Sequence, residues 1–152
     1  MATHLWLLRH GEAVPHGTRP DPERELTEKG ERQSRLAGRA LAALGVEFDA
    51  CYASPKVRAR DTARLAAEAL AVDVTCDDVV ADDFTRREAE GLAAGHDGHV
   101  LVVGHEPDFS QVVYDFTGGR VDFKKGGIAV IALGSAPELV LLARPADLKL
   151  MA

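Results

Sequence analysis

The stretch Leu5-Trp6-Leu7-Leu8-Arg9-His10-Gly11-Glu12-Ala13, LWLLRHGEA, runs four large apolar residues straight into a cation, an imidazole, a glycine and a carboxylate. An unbroken apolar run suits a strand covered on both faces, as in a parallel sheet with helices above and below. Polar groups that follow such a strand directly suit a ligand site, because open α/β sheets bind ligands beyond the carboxyl ends of their strands.

The pattern repeats along the chain. His4–Leu8 reads as the first strand, and residues 11–25, with Pro15, Pro20 and Pro22, as a polar loop. Thr27 suits a helix N-cap and Glu28 the positive end of the dipole. Leu36, Ala37, Ala40, Leu41 and Leu44 then recur at helical spacing until Gly45, which predicts a helix over about 28–44. Phe48–Ala53 is a second strand, and Ser54-Pro55 supplies an N-cap and an N1 proline for a helix that carries Ala59, Ala63, Ala66, Ala69 and Leu70 inward. Val72–Cys76 reads as an edge strand, Phe84–Ala94 as a short helix and His99–Val103 as another buried strand. A helix from Pro107 to about Phe116 and a hairpin of Ile128–Leu133 with Glu138–Ala143 complete the pattern. Alternating strands and helices imply an α/β fold, a three-layer sandwich with a mainly parallel central sheet and helices on both faces.

Composition narrows the function classes. The 152 residues, 46% hydrophobic and 28% charged, fit one globular domain over 1–152. No apolar run approaches the ~20 residues that cross a bilayer, and no leader pattern opens the chain, so a soluble cytoplasmic protein is expected. Two cysteines, Cys51 and Cys76, make neither a disulfide framework nor a CxxC site. The net charge of −6 argues against nucleic-acid or anionic-membrane surfaces, so any anion site is local.

Three segments follow predicted strands and share one rim of the sheet: Arg9-His10-Gly11, Ser54-Pro55-Lys56-Val57-Arg58 and Gly104-His105-Glu106-Pro107. Two arginines and two histidines converging from distant parts of the chain suit phosphate chemistry. The guanidinium fork matches phosphoryl oxygens, which fits Arg9 and Arg58. Gly11 admits close backbone approach, and Arg58 falls in the first turn of its helix, with Thr62 one turn on to steady it. A neutral imidazole among cations is a capable nucleophile toward phosphorus, and a second imidazole can donate to the equatorial oxygens. His10 and His105 fit these roles, in an order that spacing leaves open.

LLRHGEA, LTEKG, YASPKVRARDTA and LVVGHEPDF together resemble the histidine phosphatase (phosphoglycerate mutase-like) superfamily, and the short chain ending in ADLKLMA resembles its SixA-type protein-histidine phosphatase branch. The resemblance implies that His10 forms a covalent phosphohistidine, that Arg9, Arg58 and His105 complete the phosphate pocket, and that no metal or other cofactor is required. The implied substrate is a protein phosphohistidine or a small phosphorylated molecule. A mutase-like phosphotransferase and a non-catalytic phosphate-binding module are the alternatives. About forty residues separate Thr62 from His105, little to enclose a sugar-acid substrate, which favours hydrolysis.

For the proton donor, Glu106 ranks first by its place after the second histidine, although a first-turn carboxylate there also serves the helix dipole. Glu12, Asp82, Asp83, Glu88 and Glu90 are the other candidates. A phosphohistidine leaving group needs a strong acid less than an alkyl phosphate does. His96-Asp97-Gly98-His99 reads as a loop rather than a metal site, His4 and His16 as structural or solvent-facing, Asp77–Asp83 as an exposed acidic loop, and Lys124-Lys125 as a solvated turn.

Overall fold

The computed structural model describes residues 3–152. Its strands are β1 (His4–Arg9), β2 (Ala50–Ala53), β3 (Val74–Cys76), β4 (His99–Gly104), β5 (Ile128–Ala132) and β6 (Glu138–Ala143). They form one six-stranded sheet in the order β3-β2-β4-β1-β5-β6. β3, β2, β4 and β1 are parallel neighbours, whereas β5 lies antiparallel to both β1 and β6. The mainly parallel α/β sandwich expected from the sequence is therefore the fold.

The helices are α1 (Glu28–Ala43), α2 (Val57–Ala67), α3 (Arg86–Ala93), α4 (Asp108–Thr117) and α5 (Pro145–Met151). Strand alternation divides β1 between two cores. Trp6 and Leu8 pack with Leu36 and Leu41 of α1, Ala59 and Ala63 of α2, and Leu148 of α5. Leu5 and Leu7 pack on the opposite face with Ala89 of α3 and Phe109, Val112 and Val113 of α4. Among the described residues, no helix is long and apolar enough to cross a membrane.

Local signals act largely as their chemistry dictates. Thr27 caps α1 by accepting from Gly30 N at 3.1 Å, and α4 ends at Gly118, whose φ of 75° is the left-handed conformation glycine tolerates best. Gly30 lets α1 lie against the loop after β1, since a side chain there would drive its Cβ to 2.0 Å from Glu12 O.

Three expectations are corrected. α2 starts at Val57 with Lys56 as its N-cap, two residues later than Ser54-Pro55 implied. The Ser54 side chain is drawn instead to His105. Ala69 lies past the end of α2 and is exposed. β4 starts at His99 as the sequence implies, after the loop of residues 96–98, and His99 Nδ1 accepts from Trp6 Nε1 at 2.9 Å. The sequence reading has no counterpart to α5, which is held by Leu148 against the α1 side of the sheet.

Candidate active site

β1 and β4 are adjacent and parallel, yet α1 and α4, which follow them, lie on opposite faces. That is the topological switch point at which an open sheet leaves a crevice. The register pairs Arg9 with Gly104, so the next residue on each strand, His10 and His105, also face each other. Their ring centroids are 5.3 Å apart. β2 joins from the other side of β4, with Ser54 N donating to Val103 O at 3.0 Å, and brings Lys56 and Arg58 to the same rim. Arg9, His10, Lys56, Arg58, His105 and Glu106 all line one cavity of about 850 Å³.

The backbone holds His10 tightly. Its N donates to Gly104 O at 3.0 Å, and its carbonyl accepts from Gly126 N at 3.2 Å. The ring Nδ1 lies 2.7 Å from Gly11 O. A carbonyl only accepts, so Nδ1 carries the proton and Nε2 keeps its lone pair. Gly11 N donates to Thr62 Oγ1 at 3.1 Å, and Thr62 Oγ1 donates to the Arg58 carbonyl at 2.7 Å. Thr62 thus steadies the loop and the backbone of α2, not the Arg58 side chain.

Each arginine is tethered through its terminal nitrogens. Arg9 Nη1 donates to Phe123 O at 2.7 Å. Arg58 donates from Nη1 to Asp21 O at 2.8 Å and from Nη2 to Asp21 Oδ2 at 3.2 Å. His105 Nε2 lies 2.8 Å from Ser54 Oγ, which also accepts from Lys56 N at 3.2 Å. Among the described residues His105 Nε2 is the one acceptor within reach of the Ser54 hydroxyl proton, so Ser54 donates to it and the imidazole proton sits on Nδ1. Among the described residues, the buried side-chain nitrogens and oxygens without a hydrogen-bond partner are Arg9 Nε, Arg58 Nε and His105 Nδ1. All three are donors. Leaving a buried donor unpaired costs about 1–3 kcal/mol, and three of them in residues that line one cavity form a cradle for an anion.

His10 and His105 are each 7% exposed. Burial is the main cause that lowers the His10 pKa to about 4, with the Arg58, Arg9 and Arg24 charges adding to it against the Gly11 hydrogen bond. Burial, then the His10 and Arg58 charges, lower His105 to about 3. Both rings are neutral at pH 7. An NMR titration is therefore expected to find both unprotonated as pH falls through the ordinary histidine value of 6.5. The unfolded chain binds these protons first, so folding stability is full above that value and declines as pH falls toward about 4 and about 3, at up to about 1.4 kcal/mol per pH unit for each ring. Denaturant midpoints that stay level between pH 7 and 4.5 would contradict this.

The acid candidates separate. Glu12, Asp82, Asp83 and Glu106 line the cavity. Glu106 accepts from Ser110 N at 2.8 Å with one oxygen and from Ser110 Oγ with the other, so it caps α4. Glu12 accepts from Thr27 Oγ1 at 2.7 Å, and Asp82 from Lys56 Nζ at 2.8 Å. Glu88 and Glu90 lie outside the cavity; Glu88 closes the N-terminus of α3 through Thr85, and Glu90 pairs with Arg86 at 3.3 Å.

Several cavity residues escaped the sequence reading. Arg24 is buried, donating from Nε to Asp21 Oδ1 at 3.1 Å and from Nη1 to Val14 O at 2.8 Å. Asp21 gathers Arg24, Arg58 and Lys56 around one carboxylate. These cations outweigh burial and hold its pKa down to about 2. Both sit in an aperiodic Pro-rich loop that gives no local signal of their meeting α2. Asp108 also lines the cavity, and burial raises its pKa, helped by Asp83 and Asp82 against the hydrogen bond from Phe84 N. Lys125 and His16 border the cavity too, and both are exposed, Lys125 in the expected solvated turn before β5.

Known proteins resemble this chain. The chain is 30% identical over 161 residues to an uncharacterized protein of Picosynechococcus, covering 93% of this chain and 96% of that one. The mitochondrial serine/threonine-protein phosphatase Pgam5 of Drosophila melanogaster is 32% identical over 126 residues; the match takes in 80% of this chain and only 38% of that longer protein. The solved structure of the protein histidine phosphatase SixA complexed with tungstate superposes with a TM-score of 0.86 at 22% identity, covering 95% of this chain and 99% of the other, a likeness of fold. The family model described as histidine phosphatase superfamily (branch 1) matches residues 5–88, the part of the chain that carries Arg9, His10 and Arg58. The chain therefore belongs to the histidine phosphatase superfamily.

Proposed function

We propose that this chain is a SixA-type phosphatase that removes the phosphoryl group from a protein phosphohistidine, through a covalent phosphohistidine on His10. The observation that carries the reading is the set of buried, unpartnered donors Arg9 Nε, Arg58 Nε and His105 Nδ1 beside a His10 ring whose Nε2 lone pair is free. The arginines and His105 bind the phosphoryl oxygens, and their hydrogen bonds strengthen as charge spreads in the loose transition state. The Nε2 lone pair of His10 forms the bond to phosphorus while the bond to the leaving nitrogen breaks. Water then attacks phosphorus, the P–Nε2 bond breaks, and inorganic phosphate leaves.

Glu106 and Asp108 both line the cavity and are the carboxyls that would protonate the leaving group. Glu106, first in sequence rank, is committed through both oxygens to Ser110. Burial raises the pKa of Asp108, the direction of shift that a proton donor needs. Either suits a leaving imidazole that needs little acid assistance. None of these steps calls on a metal.

The test compares substrates. Phosphate release from a phosphohistidine protein and from phosphoramidate is expected to exceed release from an alkyl phosphomonoester in kcat/KM, without added metal and in the presence of chelator. Faster turnover of the alkyl ester would overturn the substrate reading.

A further inference from the structure

We propose that the groove between α1 and α5 docks an acidic, amphipathic segment of the phosphoprotein substrate; the identity of that partner rests on the function proposed above. The groove is a cavity of about 460 Å³, with Lys29, Arg32 and Arg39 of α1 and Lys149 of α5 along its walls. Among the described residues these four form no ion pair, whereas Arg35 beside them is paired with Glu31 and Glu68. Four unneutralised cations at one site stand out in a chain whose net charge is −6. Like charges held this close repel one another, and an acidic partner relieves that repulsion.

The shape selects among anions. Lys29, Arg32 and Arg39 fall on one face of α1 and are spread over about 15 Å of helix. A single phosphate reaches one or two of them, while an acidic segment of about ten helical residues spans the row. Leu36 and Pro145 also line the groove, which provides an apolar contact between the charges. An amphipathic segment satisfies both.

The groove adjoins the catalytic cavity. Lys125 lines the catalytic side, and a side chain at the next residue, Gly126, would meet Gln33 and Pro145 of the groove. Gln33 Oε1 accepts from Glu12 N at 2.9 Å, directly after the His10 loop. A protein held in the groove therefore lies across one short loop from the cavity that takes its phosphoryl group.

The test measures binding without turnover. A synthetic peptide of about ten residues, with Glu on one face and Leu on the other, is titrated by fluorescence anisotropy against the full chain and its Arg32→Glu/Arg39→Glu variant. The expected result is binding to the wild type that weakens with salt and falls about tenfold in the variant. KM for an acidic phosphohistidine protein is expected to rise in step, while kcat/KM for phosphoramidate stays unchanged. If the charge-reversed chain folds poorly by circular dichroism, Arg32→Gln/Arg39→Gln takes its place with a smaller loss expected. No peptide binding, or equal binding to both proteins, overturns the proposal. So does Arg32-dependent binding of phosphatidylglycerol vesicles without peptide binding, which would make the groove a membrane contact. Peptide binding that survives a complete lack of phosphohistidine turnover would defeat the functional reading alone. Normal turnover with an unmoved KM would defeat the docking surface alone.

Discussion

Replacing His10 with alanine is expected to abolish phosphate release, with kcat falling about 10⁵- to 10⁶-fold, the scale on which covalent catalysis loses its nucleophile. The second imidazole, His105, is bound to Ser54 through Nε2 and carries its proton on Nδ1, which makes it a donor toward the phosphoryl group. The variant should keep its fold, because the loop is held by its backbone: His10 N to Gly104 O, Gly126 N to His10 O and Gly11 N to Thr62. Rapid-quench labelling with a phosphorylated substrate should give an acid-labile phosphoenzyme in the wild type and none in the variant. Substantial turnover by the alanine protein would remove His10 from the chemistry.

Arg58→Ala is the second large effect. Losing one preorganised donor to a developing negative charge typically costs about 3 kcal/mol or more, a drop of about a hundredfold or greater in kcat/KM. Here the loss should exceed that of a lone donor. Asp21 presents its carboxylate to Arg58 at 3.2 Å, so the alanine variant leaves this negative charge less neutralised near the incoming phosphoryl dianion. Adding Asp21→Asn to Arg58→Ala should recover part of the activity. Arg58→Lys should recover less than a full charge would suggest, because a point charge cannot replace a fork that holds Asp21 with two nitrogens and keeps Nε for the substrate. Equal kcat/KM for the wild type and Arg58→Ala would refute the clamp.

The outcome at Ser54 shows where local reading runs short. Ser-Pro at the end of a strand is a helix-start signal, and on propensity alone Ser54 caps α2. The partner it takes, His105, is 51 residues away and meets it only because β2 and β4 are neighbours. Arg24 and Asp21 follow the same logic. Their loop has no period to read, and its 3-10 turn at Asp21–Glu23 is placed by contact with α2. Glu106 is the reverse case, since the competing local explanation, service to the helix that follows, describes both of its oxygens. α5 is too short for a clear apolar period, and its burial comes from one residue, Leu148, meeting a face built by α1 and the sheet.

By itself the sequence determined the layered α/β architecture and the identity of the four groups at the strand ends, Arg9, His10, Arg58 and His105. Both follow from short-range physics: apolar runs must be covered on two faces, and polar residues directly after them emerge at the sheet rim. Tertiary structure alone decided which imidazole nitrogen is free, that both rings stay neutral, which carboxyls reach the cavity, and that cations of α1 and α5 share a groove. These depend on distances and burial between segments far apart in the chain, and residue order along a strand or helix carries no record of them.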